Sequence, residues 1–358
     1  MRQLRLLLHR RDDDVSDGYQ PDAYYHCISR VIEKRFILGD EEKAYFYALM
    51  RRLERFMGVE IVTYCLMSNH FHLLLRVPAP GKLAPLSMSE LERELKLLHC
   101  VGEGETSAAL QEIERARSSG SSTWEKDLLA RYEARRGDLS RFMKELKQRF
   151  SLWYNQRERR RGPLWEDRFK SVLVEGSEEA LMAVGAYIEL NPVRAGLAED
   201  PKDYRWCGYA EAVAGGALAR KGLCRLLDQT SLEIQGGTNR TVNWKGVSRR
   251  YRCLLFEHGE KRSYEEGDVR EKRHGISAEK VEEVIASGGK LSLAEVLRCR
   301  VRYFCDGTIL GRKAFVEKIF EANKDRYGSK RKTGAHAMRG ADWGKLRTLR
   351  DLRKEVIG

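Results

Sequence analysis

The fold class predicted for this 358-residue sequence is α+β, on three observations. Short runs rich in β-branched and aromatic residues occur beside amphipathic helical stretches, so the chain is neither all-α nor all-β. Two of the runs are separated only by Met67-Ser68-Asn69, which makes them an antiparallel hairpin. The remainder of the chain, from about Leu223 onward, reads as mainly helical.

Each element follows in order. After a charged arm over residues 1–21, Ala23 to Val31 has the composition of a first strand. Asp40 reads as the N-cap of a helix with Glu41 and Glu42 in its first turn. Tyr45, Leu49, Leu53 and Phe56 form its apolar stripe, and Gly58 ends it. Val59–Leu66 and His70–Val77 are the hairpin strands. From 79 to 137 the pattern changes to Pro-Gly punctuation, two Glu/Lys/Leu-rich helical stretches and a Ser-Gly run at Ser118–Ser122, a helical insertion. Asp138 to Asn155 is a helix with Phe142, Leu146, Phe150 and Trp153 on one side. Phe169–Val174 is a fourth strand. Ser177 caps a helix, stopped by Pro192, whose buried stripe is Leu181, Val184 and Ile188. The aromatic segment Asp203–Tyr209 closes this domain, so that 22–222 forms one unit and 223–358 another. In the second unit a basic loop carries Lys245, Arg249, Arg250 and Arg252. Ser277–Ala286, Ser292–Phe304 and Arg312–Arg326 are three expected helices, compatible with a helix-turn-helix or with a small helical cap.

Composition limits the function. With 66 Lys+Arg against 53 Asp+Glu the net charge is +13, which points to a polyanionic partner, nucleic acid first, although charge alone leaves an anionic membrane surface open. No apolar run approaches the roughly 18 residues of a membrane span, so a cytoplasmic protein that does not engage a membrane is expected. The eight cysteines contain no Cys-x-x-Cys pair, which excludes a zinc ribbon and a thioredoxin-like centre.

Within the hairpin lies His70-Phe71-His72. Alternation along a strand sends both imidazoles to one face and Phe71 to the other. Such a pair suits the gripping of one ion, and equally suits two ordinary histidines at a strand edge. Tyr187 and Asn191, four apart, share a helix face beside the buried stripe; half-buried packing and a helix terminator explain them as well. If that helix packs against the histidine strand, two imidazoles and the Asn191 amide oxygen would hold a divalent cation with positions left for a phosphate. The phenol of Tyr187, with an ordinary pKa of about 10, would then need a cation or a basic neighbour to act as a nucleophile. Arg157, Arg159, Arg160 and Arg161, interleaved with Trp153, Tyr154 and Trp165, complement a helix C-terminus. Together with Arg168 and Lys170 they also describe a surface for phosphates and stacked bases.

Four ordered blocks carry a family resemblance. Tyr24-Tyr25-His26-Cys27-Ile28-Ser29-Arg30, Met67 through Leu75, Leu164-Trp165-Glu166-Asp167-Arg168-Phe169-Lys170-Ser171, and Tyr187 through Gly196 resemble the REP-associated tyrosine transposases of the HUH one-tyrosine superfamily. The resemblance implies a ferredoxin-like domain with an antiparallel sheet. It implies His70 and His72 as metal ligands with Asn191 as the third, Tyr187 as nucleophile, and Mg2+ or Mn2+ as cofactor. The substrate would be single-stranded DNA at hairpin-forming, REP-like palindromes, cleaved to a 5′-phosphotyrosine and a free 3′-OH and then rejoined. The insertion at 79–137 and the extension after 223 depart from the compact family pattern. They leave open a monomer or a homodimer and the DNA structure recognised. A replication-initiator or relaxase-type nicking enzyme, and a non-catalytic DNA-binding regulator, are the alternatives.

Overall fold

The computed structural model describes residues 21–99, 105–120, 122–226, 244–256, 296–327, 331–350, 352, 356 and 357. Strand β1 (Ala23–Arg30) leads to helix α1 (Asp40–Met57), then β2 (Glu60–Leu66) and β3 (His70–Val77). The acidic first turn of α1 complements its positive end. The cap position itself belongs to Gly39, because the Asp40 carboxylate is taken by the Trp206 indole N–H at 2.7 Å. The helix ends where expected: Gly58 adopts φ 65° and donates its N–H to Glu54 O, a left-handed turn that costs glycine little.

The insertion forms α2 (Met88–His99), α3 (Glu105–Ser119) and α4 (Ser122–Glu133), one helix more than the sequence suggests. Leu91, Leu95 and Leu98 seat α2 in the core. Helix α5 (Leu139–Arg157) starts at Asp138, whose carboxylate accepts from the Ser140 and Arg141 amides. Strand β4 (Lys170–Val174) and α6 (Glu178–Glu189) follow. Ser177 holds the cap position of α6, yet its hydroxyl donates to Glu175 and accepts no N–H of the helix. Pro192 both stops α6 and opens the single turn α7 (Asn191–Arg194), since its missing N–H costs nothing in a first turn.

Strand order β2-β3-β1-β4, antiparallel throughout, with α1 linking β1 to β2 and α5 linking β3 to β4, is the ferredoxin-like arrangement. Alternation divides β3 as predicted. Phe71 packs at 4.7 Å from Phe46 of α1 and 5.4 Å from Trp165, while the histidines face α6. The outer edge at β2 is covered by α8 (Gly208–Val213), α9 (Ala217–Cys224) and a bridge between Cys65 and Cys207. Gly222 of α9 lies so close to the Ile61 and Val62 carbonyls that a side chain there would collide with them. A covered edge cannot pair with another chain.

The C-terminal part departs from expectation. The residues read as a basic loop form helix α10 (Trp244–Phe256), with Tyr251 and Leu255 buried. The first of the three helices expected further on, Ser277–Ala286, lies outside the described residues. The second is interrupted in its described part: Val296 and Leu297 are helical, the chain then turns at 298–301, and a short helix α11 (Arg302–Asp306) follows. The third begins one residue late, as α12 (Lys313–Glu321), because Ile309–Arg312 forms strand β5. β5 pairs parallel with β4, and β7 (Leu346–Thr348) and β6 (His336–Ala337) continue outward, giving one seven-stranded sheet. The region after 223 therefore extends the sheet built by β1 to β4; the described residues do not form a helix-turn-helix. Among them no helix is long and apolar enough to cross a membrane, and the described cysteines are free thiols, most of them buried.

Candidate active site

Strand β3 and helix α6 bring His70, His72 and Tyr187 together. The His70 and His72 rings lie 5.1 Å apart, and the Tyr187 ring of α6 lies 6.2 Å from that of His72. The chain separation between strand and helix is bridged because Leu181, Val184 and Ile188 bury against the sheet, and Tyr187 goes down with them. Asn191 sits one turn further along. Its amide N–H2 group donates to Ile188 O at 3.0 Å and Tyr187 O at 3.4 Å, which turns its oxygen to the other side.

Both imidazoles fit a cation in their hydrogen bonding. His70 Nδ1 lies 2.6 Å from Asn69 Oδ1, and that amide is oriented by its own donation to Lys34 O. An amide oxygen only accepts, so His70 carries its proton on Nδ1 and keeps a lone pair on Nε2. His72 Nδ1 is engaged by His26 Nε2 at 2.9 Å, leaving Nε2 as its free nitrogen. Burial, followed by the Arg30 charge, lowers the pKa of His70 to about 4, and burial lowers His72 well below the ordinary value. Both are neutral at pH 7, as a ligand must be. Among the described residues no group of three or more His, Cys, Asp and Glu is arranged to hold a metal. A cation here would draw on the two imidazoles and on its substrate.

Two further residues complete the site beyond those the sequence marks. His26, central in β1, is completely buried, and its Nδ1 meets Phe304 O at 2.9 Å. Arg194 places its guanidinium 4.0 Å from the centre of the Tyr187 ring and is held there by bonds to Leu297 O and Tyr187 O. Both lie inside blocks that carry the family resemblance. The signal for Arg194 is a cation two helical turns from a candidate nucleophile; for His26 it is a histidine at an inward position of a core strand.

Tyr187 is only 2% exposed. Phe304 of α11 stacks edge-on at 5.0 Å, and the phenol oxygen lies 3.0 Å from Cys305 Sγ. Burial, then the Cys305 thiol, push the phenol pKa upward, and the Arg194 charge opposes them. The C-terminal segment thus lies over Tyr187.

The basic residues divide. Arg157 is spent on ion pairs with Glu41 and Glu42, each at 3.0 Å, and lies over the Trp153 ring. Arg160 donates to Pro163 O, and Lys170 pairs with Asp306 at 2.8 Å. Arg159, Arg161 and Arg168 are exposed. The aromatic residues are not a displayed stacking platform. Trp153 stacks on Tyr45 at 3.9 Å, Tyr154 is buried, and Trp165 packs among Phe46, Phe71 and Phe150 with its indole N–H on Lys147 O. Only the rim of Trp165 reaches an open cavity of about 490 Å³, which Lys144, Lys147, Arg168 and Phe169 also line. Replacing Arg159, Arg161 and Arg168 together by Ala is expected to flatten the salt dependence of single-strand binding by about 2 in log–log slope, at about 0.7 for each phosphate no longer neutralised. Arg157→Ala should leave the slope unchanged; fluorescence anisotropy across a salt series compares the two.

Glu189 follows Tyr187 by two positions and points elsewhere, toward β2, where the Thr63 hydroxyl donates to it. It is fully buried, and burial pushes its carboxyl up to about 7. Between about 4.5 and 7 the folded chain holds a proton that the unfolded chain has released. Stability therefore falls as pH rises through that window, by about 3 kcal/mol in all. Glu189→Gln is expected to remove that fall and to raise Tm at about pH 8 relative to wild type, measured by thermal melts across the window.

Comparison with known proteins bears on this arrangement. Residues 19–96 match the family model described as "Transposase IS200 like", which supports the resemblance to the tyrosine transposases. That segment holds β1, α1, β2 and β3 with His26, His70 and His72, and stops well short of Tyr187. Over this stretch the chain is similar to DNA transposases. No curated protein matches it. Among solved structures, one described as "Structure of the REP associates tyrosine transposase bound to a REP hairpin" is 14% identical, with a TM-score of 0.35, covering 57% of this chain and 87% of that one.

Proposed function

We propose that this chain cleaves and rejoins single-stranded, hairpin-associated DNA in transposition, with Tyr187 as the nucleophile and a divalent cation, Mg2+ or Mn2+, held by His70, His72 and Asn191. The observation that supports this reading is the placement of the Tyr187 ring 6.2 Å from His72 on the histidine face of the sheet. A bound cation would polarise the scissile phosphodiester and offset the charge that develops on it. Tyr187 loses its proton and its oxygen bonds to phosphorus as the bond to the 3′ oxygen breaks. The strand that ends in that oxygen takes up a proton and leaves as a 3′-OH, and the other strand stays on the enzyme as a 5′-phosphotyrosine. The bond energy is kept, and a second 3′-OH can reverse the step to join strands. Arg194, over the ring, favours the phenolate. Attack requires the phenol to exchange its bond with Cys305 for the phosphate, so the Cys305 side chain must turn aside when DNA enters.

The test is incubation of the full chain and Mn2+ with a single-stranded oligonucleotide containing an imperfect palindrome, labelled at either end. The expected result is a denaturation-resistant adduct that retains the 3′-end label, together with a released 5′-labelled fragment ending in 3′-OH. Retention of the 5′-end label would reverse the polarity of the reaction, and binding without any adduct would leave a DNA-binding regulator in place of an enzyme.

A further inference from the structure

We propose that His26 is a positioning residue that fixes the tautomer of His72, so that His72 presents the lone pair of Nε2, and never an N–H, to the site. The inference rests on the cation reading of the histidine pair given above. The hydrogen bonds that carry it are independent of that reading.

His26 is wholly enclosed in β1, between β3 and β4, and each ring nitrogen has one partner at 2.9 Å. On one side is the Phe304 carbonyl, which only accepts, so Nδ1 of His26 must carry the hydrogen. Enclosure away from water also disfavours a charged ring, so His26 is neutral. A neutral imidazole with a proton on Nδ1 has a lone pair on Nε2. That lone pair faces His72 Nδ1, which therefore donates. The other tautomer of His72 would set two lone pairs against each other at that distance between two buried rings, and would aim an N–H at the place where a ligand nitrogen is needed. The direction of every hydrogen in the row is thus dictated from its far end by a backbone carbonyl of the C-terminal segment. His70 achieves the same state by a different route, through Asn69. Two neighbouring histidines, each with Nδ1 protonated by an independent device, are what an ion between them would require, because the groups bonded to the far nitrogen of a ligating imidazole set both its orientation and its tautomer.

A buried histidine that merely filled space would be replaceable by an apolar side chain. His26→Leu fills the volume and can neither accept from His72 nor donate to Phe304. His26→Gln supplies an amide whose N–H donates to Phe304 O and whose oxygen accepts from His72 Nδ1. His26→Asn keeps the donor and is too short to reach His72.

The experiment uses the full chain labelled with 15N-histidine, free of metal, and reads the His72 ring nitrogens by long-range 1H–15N correlation. Mn2+ affinity of the same samples is measured by calorimetry, with His72→Ala as reference. Wild type is expected to show His72 protonated on Nδ1. His26→Leu and His26→Asn should show loss of that single tautomer and Mn2+ binding weakened about 10- to 100-fold, and His26→Gln should restore both. If His26→Leu fails to fold, the Asn and Gln pair decides. Wild-type His72 protonated on Nε2, or unchanged tautomer and affinity in the Leu and Asn variants, overturns the proposal. A tautomer that changes as stated, in a chain that binds Mn2+ no better than His72→Ala does, supports the positioning role and overturns the cation reading alone.

Discussion

Tyr187→Phe is expected to abolish the covalent protein–DNA adduct and to lower strand cleavage by at least about 10³-fold, the scale on which removal of a nucleophile acts when no other group can replace it. The substitution is close to isosteric. The ring keeps its edge-on contact with Phe304 and its place beneath Arg194, and the folded chain gives up only the hydroxyl's bond with Cys305. A single hydrogen bond of that kind contributes about 1 kcal/mol, so Tm and DNA affinity should barely move. That separation makes the result decisive. A fall in cleavage with unchanged binding assigns the chemistry to the phenol; an adduct that persists in Tyr187→Phe sinks the assignment and directs attention to another hydroxyl. Enclosure of the phenol adds a second expectation. Because α11 covers it, the phenol should be slow to react with small phenol-directed reagents in the free chain, and faster once a hairpin oligonucleotide is bound.

Much of this arrangement is legible in residue order, and the exceptions share a physical cause. The hairpin, the opposed faces of Phe71 and the two histidines, and the end of α1 at Gly58 depend on contacts that are local in sequence, where strand alternation and glycine's conformational range decide the outcome. His26 shows in the sequence only as a histidine at an inward strand position, and its role comes from Phe304, 278 residues away. Trp165 misleads because a tryptophan among arginines has the same sequence signature whether its ring is displayed or, as here, packed against Phe71 and Phe150. Strand β5 has four residues, too few for alternation to register, and exists because β4 offers it a partner. Helix α10 reads as a loop because its basic residues dominate the composition, although Tyr251 and Leu255, four apart and both buried, are the sign of a helix face. Arg157 illustrates the same limit for charge: only packing shows that its guanidinium is already committed to Glu41 and Glu42.

Chelation by EDTA is expected to stop cleavage, and added Mn2+ to restore it, whereas His70→Ala should lower cleavage at fixed Mn2+ by about 10²- to 10³-fold. The size follows from the several kcal/mol that a cation contributes to a phosphoryl transition state, at about 1.4 kcal/mol per tenfold in rate. His70 is the better position for this test than His72. It is only partly buried, and its Nδ1 partner Asn69 lies on a turn and retains its bond to Lys34 O after the substitution. Removing His72 leaves the His26 Nε2 lone pair buried without its donor, so any loss of activity would be mixed with a loss of stability. If His70 acts through the cation, raising Mn2+ should recover part of the His70→Ala defect, because a weakened site fills again by mass action. A histidine that served only the packing of the strand would give a defect that no Mn2+ concentration repairs, and cleavage by His70→Ala at the wild-type rate would remove the imidazole from the ligand set altogether.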